Sequence, residues 1–349
     1  MSPEAIVQFL FSTKSDVWSY GVVLFEIMTL AAPPYPSWSV AEVLERLNKN
    51  ERMNKPDACP DEVFEIMMSS IPDGCKKSPY DSTSLIAWIC GGIGIALIIA
   101  VVSGICIWQR KKLEEKFRHQ IEMLRLSRPV ADTENGTASN EYSKELRDDW
   151  EIDRYAIQIN YDAKLGNGAF GYVYTANLLL GNARMNKIES RIRRHAGEKV
   201  AVKMLPDYAD STSRQDFVAE ISTMKELKYH ERIVNLVACV THSEPVWLVM
   251  EYCPNGDLRN YLLLKKQFLD DQTAMGNEMT DIHELISLKE QLMFALQIST
   301  GLEYLSQKGY VHRDIAARNI LLDLNNACKI GDFGLCRRVE QAHDNYLSR

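Results

Sequence analysis

The chain lacks several features that would assign it to common functional classes. Its eight cysteines include no Cys-x-x-Cys pair and no histidine partner at ligand spacing, which argues against a zinc site and a disulfide framework. Acidic residues outnumber basic ones, which gives a net charge of -7. No nucleic-acid partner is therefore expected. The first residues also lack the basic start, apolar run and small-residue cleavage site of a secretory signal.

Charge is absent from residues 85–108, a run of twenty-four residues. A helix of that length spans a hydrocarbon core of about 30 Å, and a buried core helix without a polar face is the less favoured alternative. Only Lys76 and Lys77 closely precede the run, whereas five basic residues follow it, namely Arg110, Lys111, Lys112, Lys116 and Arg118. The positive-inside rule therefore predicts a single-pass membrane protein with its C-terminal region in the cytoplasm.

Small residues recur at every fourth position of this run, at Gly92, Ala96, Ala100 and Gly104. One interpretation is a stripe that lets two transmembrane helices pack closely into a homo- or heterodimer. The other is that small residues are simply frequent in membrane helices. Both interpretations stay open.

A glycine-rich loop contains Gly166, Gly168 and Gly171. The G-x-G-x-x-G pattern alone fits a dinucleotide-binding fold equally well. A dinucleotide loop opens a helix, however, whereas residues 172–174 and 199–203 are rich in β-branched and aromatic residues and predict strands. Backbone amides of such a loop can approach triphosphate oxygens, and Lys203 at a strand end can pair with the phosphates.

Glu220 lies seventeen residues after Lys203, in a segment whose apolar spacing suits an amphipathic helix. Taken alone, it is better interpreted as a solvated helix carboxylate. Because a strand lysine and a glycine loop precede it, Glu220 is predicted to form an ion pair that fixes Lys203 over the phosphates.

The stretch His312-Arg313-Asp314-Ile315-Ala316-Ala317-Arg318-Asn319 is followed thirteen positions on by Asp332-Phe333-Gly334. With the glycine loop, Lys203 and Glu220, these motifs stand in the order of a protein kinase, and the chain resembles that family. The resemblance implies that Asp314 accepts or orients the substrate hydroxyl proton. It also implies that Asn319 and Asp332 hold Mg2+ ions that bridge the ATP phosphates, which suits the preference of Mg2+ for hard oxygen ligands.

The same resemblance implies an ATP site at the end of an apolar strand. Met250 would be the gatekeeper, and the backbone of Glu251 and Cys253 would hydrogen-bond the adenine. The residues implied to contact ATP are Leu165, Gly166, Gly168, Gly171, Val173, Ala201, Lys203, Met250, Glu251, Cys253 and Leu321.

The residues after Asp314 resemble tyrosine kinases, in which Arg318 helps to place the phenol. A polar insert from about Lys265 to Ile286 stands where split receptor tyrosine kinases carry theirs, but it contains no tyrosine. Tyr346 is a candidate autophosphorylation site. The resemblance thus implies transfer of the ATP γ-phosphoryl group to protein tyrosine by a receptor-like kinase of the plasma membrane.

Residues 1–67 resemble the middle of a kinase C-lobe, displaced to the front of the chain. Ser2-Pro3-Glu4 takes the place of the Ala-Pro-Glu motif, and residues 16–21 that of the helix whose aspartate anchors the catalytic loop. The run 17–32 is charged only at Glu26 and is short for a membrane span, so it predicts a buried helix.

The predicted organisation therefore has four parts. A C-lobe-like fragment covers residues 1–67, a transmembrane helix 85–108, a juxtamembrane segment and linker 109–149, and a truncated kinase domain 150–349. The kinase domain is expected to be α+β, with a five-stranded N-lobe, one regulatory helix and a partial helical C-lobe.

With this topology the fragment 1–67 lies outside the membrane and the kinase domain inside, so the two are expected not to dock within one chain. Three interpretations follow. The favoured one is that two neighbouring kinase genes are joined in one reading frame. The second is a truncated receptor that binds nucleotide or dimerises without phosphorylating. The third is a permuted kinase that folds both pieces together on one side of the membrane.

Overall fold

The computed structural model describes residues 2–36, 38–70, 149–168, 171–179, 199–206, 208–275 and 285–339. The predicted transmembrane helix at 85–108, the juxtamembrane segment up to residue 148 and Tyr346 lie outside the described residues. In the part of the chain that the structure describes, no helix has the length and apolar character needed to cross a membrane.

A five-stranded antiparallel sheet forms the N-lobe, as predicted, with strand order β1-β2-β3-β5-β4. Its central strands consist largely of buried β-branched and apolar residues, which suits a sheet covered on both faces. The strands are β1 (Ile157–Gly168), β2 (Gly171–Leu178), β3 (Lys199–Met204), β4 (Leu236–Val240) and β5 (Trp247–Glu251).

Four helices precede the sheet in sequence: α1 (Pro3–Val7), α2 (Thr13–Met28), α3 (Val40–Asn48) and α4 (Asp61–Ser70). Helix α5 (Ser211–Leu227) packs against the sheet. It begins after Asp210, whose side chain accepts the backbone N–H of Ser213 at 2.8 Å and so caps the helix. Phe217 and Ile221 are each 1% exposed, and Glu220 between them is also buried. The apolar face of the helix therefore carries one carboxylate into the interior.

The C-lobe that follows contains α6 (Leu258–Ala274) and α7 (Leu288–Gln307). The polar insert predicted from about Lys265 begins inside α6, which continues for most of another three turns. Two short antiparallel ladders come next: β6 (Tyr310–Val311) with β9 (Arg337–Arg338), and β7 (Ile320–Leu322) with β8 (Cys328–Ile330). The predicted catalytic loop lies between β6 and β7.

The first seventy residues contribute further helices to the same unit. Helix α2 begins after Ser12, where Ser12 and Ser15 each accept the backbone N–H of the other, a reciprocal N-cap.

Helix α2 is packed in the core of the C-lobe. Val23 and Ile27 are 0% exposed and share one apolar cluster with Phe294 and Ile298 of α7. Complete burial of such side chains is worth about 1.5 to 3 kcal/mol each. Much of the C-lobe core therefore depends on a helix from the other end of the chain.

Polar contacts fix the register of α2 against α7. The Tyr20 hydroxyl donates to the carbonyl oxygen of Ala295 at 3.0 Å, and the Gln291 side chain donates to that of Ile27 at 3.3 Å. Directional bonds between two apolar helix faces favour one packing arrangement over others.

The expectation that the N-terminal fragment does not dock on the kinase region is wrong for this structure. Residues 2–70 and 149–339 belong to one compact unit. The expectation followed from placing the two segments on opposite sides of a membrane, whereas the buried face of α2 has its packing partner in α7. The two segments therefore pack together, which is one element of the third interpretation; their placement relative to a membrane stays a prediction.

Candidate active site

Strand β3 and helix α5 bring Lys203 and Glu220 together, as the sequence predicted. The Lys203 ammonium lies 2.7 and 2.8 Å from the two Glu220 carboxylate oxygens, and both side chains are buried. Burial disfavours the charge on Lys203, but Glu220 and Asp332 outweigh it, so the pKa of Lys203 is raised. The lysine is therefore held as a cation at the end of a sheet strand.

Asp332 lies on the other side of the lysine, with its Oδ1 atom 3.4 Å from Lys203 Nζ. Its φ of 59° is in the left-handed region, which turns the chain sharply after β8. The next residue, Phe333, is 1% exposed and packs edge-on against the His312 ring at 5.5 Å between centroids. The buried phenylalanine thus holds Asp332 toward Lys203.

Asp314, the predicted catalytic carboxylate, is oriented by two neighbours. The Asn319 side-chain amide donates to Asp314 Oδ2 at 2.8 Å and to its backbone oxygen at 2.7 Å. The Arg318 guanidinium donates to Asp314 Oδ1. Because Asn319 uses its NH2 group for these bonds, its carbonyl oxygen is the atom that suits a metal.

Asp16 of α2 stabilises the predicted catalytic loop through the loop backbone. Its two carboxylate oxygens accept the backbone N–H groups of His312 at 2.7 Å and Arg313 at 2.9 Å. Arg313 has a φ of 74°, a conformation that costs a non-glycine residue about 1 to 3 kcal/mol. Its guanidinium also stacks over the Phe11 ring at 4.0 Å. The N-terminal segment therefore stabilises a strained turn beside Asp314.

A second carboxylate of α2 reaches the same loop. Glu26 Oε2 accepts the backbone N–H of Ala317 at 3.1 Å. Sequence reasoning did not assign Glu26 a role, although the residue stood out as the one charge in the apolar run 17–32. An isolated charge within a buried helix was the signal that could have found it.

The glycine loop joins β1 to β2 in the predicted place. At Gly171 φ is 140°, and an added Cβ atom would lie 2.2 Å from the Met204 carbonyl oxygen, so only glycine fits. At Gly166 an added Cβ would meet no heavy atom within 4 Å. The first glycine thus faces open space, which is where a phosphate chain could approach the backbone.

The residues implied to contact ATP occupy the sheet around this loop and the start of the C-lobe. The register pairs Val173 with Lys203 and Ala201 with Met250. Leu321 lies on β7 and bridges to Asp257, which caps α6. The strands therefore bring together residues that are far apart in sequence, and contact of each with nucleotide stays a prediction.

The side chain of Glu251 has a separate function that the sequence did not reveal. Its Oε1 lies 3.0 Å from Lys329 Nζ, and its Oε2 accepts from the Asn235 side chain at 2.8 Å. Its backbone N–H donates to the Asn235 carbonyl at 3.0 Å. An adenine contact at Glu251 would therefore use its backbone carbonyl oxygen.

The oxygen atoms present fit a Mg2+ site. Asn319 offers an amide oxygen and Asp332 a carboxylate, both hard donors, and Mg2+ characteristically combines one or two such side chains with phosphate oxygens and water. Lys203 lies beside Asp332, where it can face the same phosphates.

A five-stranded lobe with one helix, an ion-paired strand lysine, and a catalytic loop joined to an Asp-Phe-Gly turn together define the protein kinase class. The model of the protein tyrosine and serine/threonine kinase family matches residues 1–79 and 159–349, and the chain belongs to this family. The match includes the N-terminal segment, whose resemblance to a C-lobe stays a prediction.

Relatives named as a tyrosine-protein kinase or as fibroblast growth factor receptors match part of the chain. A Caenorhabditis elegans protein provisionally named a tyrosine-protein kinase is 36% identical over 208 residues, which are 56% of this chain and 23% of that protein. Fibroblast growth factor receptor homolog 2 of Drosophila melanogaster is 34% identical over 213 residues, covering 60% of this chain and 19% of the receptor. Fibroblast growth factor receptor 1 of Xenopus laevis is 32% identical over 205 residues, covering 57% and 23% respectively. The chain thus spans about a fifth of the length of these relatives.

Proposed function

We propose that this chain transfers the γ-phosphoryl group of ATP to a tyrosine hydroxyl of a protein substrate. The observation that carries the proposal is that the phosphate-binding and proton-accepting groups are assembled together. Lys203 is paired with Glu220 and lies 3.4 Å from Asp332, while Asp314 is oriented by Asn319. Positioning and charge stabilisation of this kind account for most of phosphoryl-transfer catalysis.

Each side chain has a distinct part in the proposed reaction. Lys203 would bind phosphate oxygens, and Asn319 and Asp332 are the residues that would hold Mg2+, whose charge would stabilise the transferring group. Asp314 accepts the proton of the attacking hydroxyl. The hydroxyl oxygen forms a bond to the γ-phosphorus as the bond to the ADP oxygen breaks.

Tyrosine rather than serine is proposed as the acceptor because of Arg318. Its guanidinium contacts Asp314 at the point where a substrate hydroxyl would arrive. A planar guanidinium next to the base can stack on or hydrogen-bond to a phenol, which reaches further than a serine hydroxyl. The name of the Caenorhabditis elegans relative, a tyrosine-protein kinase, supports the same acceptor.

A radiolabelled ATP assay on the purified full-length chain tests this proposal, with one peptide that carries tyrosine and a matched peptide that carries serine. Phosphate incorporation into the tyrosine peptide alone is expected, and Asp314→Asn should abolish it. Asp270→Asn, an exposed carboxylate near the end of α6, is the matched control and should leave the rate unchanged. Nucleotide binding without transfer would instead support a non-catalytic, nucleotide-binding module.

A membrane location is proposed from the sequence of residues 85–108 and from the receptor names of the relatives. A single crossing would separate residues 2–70 from residues 149–339, which here pack as one unit. One chain therefore cannot combine a single crossing with this assembled core. We propose that the assembled core is the active form and that both of its parts lie on the cytoplasmic side.

Protease protection in sealed, right-side-out vesicles tests this placement. If both parts of the core are cytoplasmic, epitope tags at residue 2 and residue 349 should both be protected until detergent is added. Digestion of the N-terminal tag alone would support the single-pass topology. It would contradict the proposal that the assembled core is the active form. Dimerisation through the stripe at Gly92 to Gly104 and autophosphorylation at Tyr346 stay predictions of the sequence.

A further inference from the structure

Helix α2 contacts the catalytic loop at two points that lie on either side of Asp314. Asp16 accepts the N–H groups of His312 and Arg313 before it, and Glu26 accepts the N–H of Ala317 after it. The two carboxylates are ten positions apart, about 2.8 helical turns, and both lie on the side of α2 that contacts the loop. One rigid helix thus holds both ends of the segment that presents the catalytic carboxylate.

The contact at Ala317 lies in the part of the loop that resembles tyrosine kinases. Ala317 opens a turn of 3-10 helix, residues Ala317–Asn319, and is itself 0% exposed. Arg318 and Asn319 follow directly in that turn, and both contact Asp314. A shift of the Ala317 amide would therefore move two side chains that orient the catalytic carboxylate.

The first N–H groups of a helical turn have no partner within the turn and need an outside acceptor. Glu26 supplies this acceptor for Ala317; burial raises the pKa of its carboxyl, and the Ala317 hydrogen bond and the charges of Arg318 and Arg259 oppose that rise. A charged acceptor makes a stronger hydrogen bond to a backbone N–H than a neutral one. The carboxylate thus accepts a hydrogen bond from the backbone of the turn and interacts electrostatically with Arg318 in the same turn.

We infer that Glu26 is a positioning residue for the tyrosine acceptor, acting through Ala317 and Arg318 rather than by touching substrate. The inference rests on the proposed tyrosine kinase function. Loss of Glu26 should leave the Lys203 and Glu220 pair intact, because that pair lies in the N-lobe. It should let the Ala317 turn and Arg318 move relative to Asp314, which slows the transfer step.

The test compares steady-state kinetics of the full-length wild-type chain with those of Glu26→Ala and Glu26→Gln. Glu26→Ala should lower kcat for a tyrosine peptide by about tenfold or more, because small displacements of catalytic groups are costly, while KM for ATP changes less than about twofold. Glu26→Gln keeps an oxygen that can accept the Ala317 N–H, so it should recover part of the rate. Glu65→Ala and Glu65→Gln, at an exposed position on α4, are the matched controls and should match wild type.

The outcomes separate this inference from the proposed function. If wild type transfers phosphate and Glu26→Ala keeps the same kcat, the positioning role is wrong while the kinase function stands. A proportional loss of kcat and ATP affinity with a lower Tm in both variants would show general unfolding and also overturn it. If wild type binds a fluorescent ATP analogue but transfers nothing, the proposed function fails. In that case Glu26 can still be tested by amide exchange at Ala317, which Glu26→Ala should accelerate if the contact exists.

Discussion

Asp16 and His312 are joined by a 2.7 Å hydrogen bond, although 296 residues separate them in sequence. The carboxylate that supports the catalytic loop therefore comes from the opposite end of the chain. Residues 2–70 pack in one unit with the predicted catalytic loop, residues 312–319, and phosphoryl transfer should depend on that contact.

Asp16→Asn should destabilise the chain and slow phosphoryl transfer. The His312 and Arg313 N–H groups bond to different oxygens of Asp16, and asparagine would place an NH2 donor at one of these two positions. Leaving one buried N–H without an acceptor costs about 1 to 3 kcal/mol in the free energy of unfolding. Urea unfolding measures this loss. Asp57→Asn, an exposed aspartate of the same segment, is the control, and equal stability of the two variants would contradict the contact.

Lys203 and Glu220 should be strongly coupled in a double-mutant cycle. Lys203→Met and Glu220→Leu each leave the other charge buried, and breaking one side of a buried pair typically costs about 3 to 5 kcal/mol. The double variant removes both charges and should cost clearly less than the sum of the two single losses. Thermal unfolding of all four chains gives the coupling energy, and additive losses would mean that the ion pair is not formed.

Two glycines of the same loop should respond oppositely to alanine. Gly171→Ala should lower Tm, because its φ of 140° and the 2.2 Å approach of the added Cβ to Met204 O force the backbone to shift. Gly166→Ala should leave Tm nearly unchanged but weaken ATP binding, because its Cβ would occupy open space over the proposed phosphate site. Isothermal titration with ATP and a thermal melt of each variant check this pair. Equal effects of the two substitutions on Tm would contradict the loop geometry.

Cys253 should resist alkylation in the folded chain. Burial, with the nearby charge of Glu251, raises the pKa of its thiol from 9.0 to about 12. A raised thiol pKa keeps the protonated form dominant, so the thiolate fraction at pH 8 falls on the order of a thousandfold. Iodoacetamide labelling followed by mass spectrometry should show slow modification that increases as the pH rises toward 12 or when urea is added. Rapid labelling at pH 8 in the absence of urea would contradict the burial of this side chain.

The sequence predicted the chemistry of the site better than its assembly. Lys203, Glu220, Asp314, Asn319 and Asp332 were singled out because their motifs stand in the order of a protein kinase, and the resemblance to that family implied their roles. The five-stranded lobe was predicted because β-branched runs and a glycine loop are local signals. Each of these features can be recognised from a short stretch of sequence, without knowledge of which distant residues it contacts.

The docking of α2 was missed because its evidence is not local. The apolar run around Val23 and Ile27 predicted a buried helix but did not show which surface would bury it. The positive-inside rule then placed α2 and α7 on opposite sides of a membrane, so contact of α2 with residues such as Phe294 was not expected. Glu26 was noticed as a lone charge, yet its partner Ala317 is 291 residues away and presents only a backbone N–H. Side-chain patterns carry no signal for a backbone N–H donor of that kind.

Hydrogen–deuterium exchange of the full-length chain, read at the amides of His312, Arg313 and Ala317, tests most directly whether the N-terminal segment completes the catalytic site. These amides donate to Asp16 and Glu26, so they should exchange slowly in wild type. His312 and Arg313 should exchange faster in Asp16→Asn, and Ala317 faster in Glu26→Ala. Exchange in wild type at the rate of an unstructured peptide would contradict the assembled core.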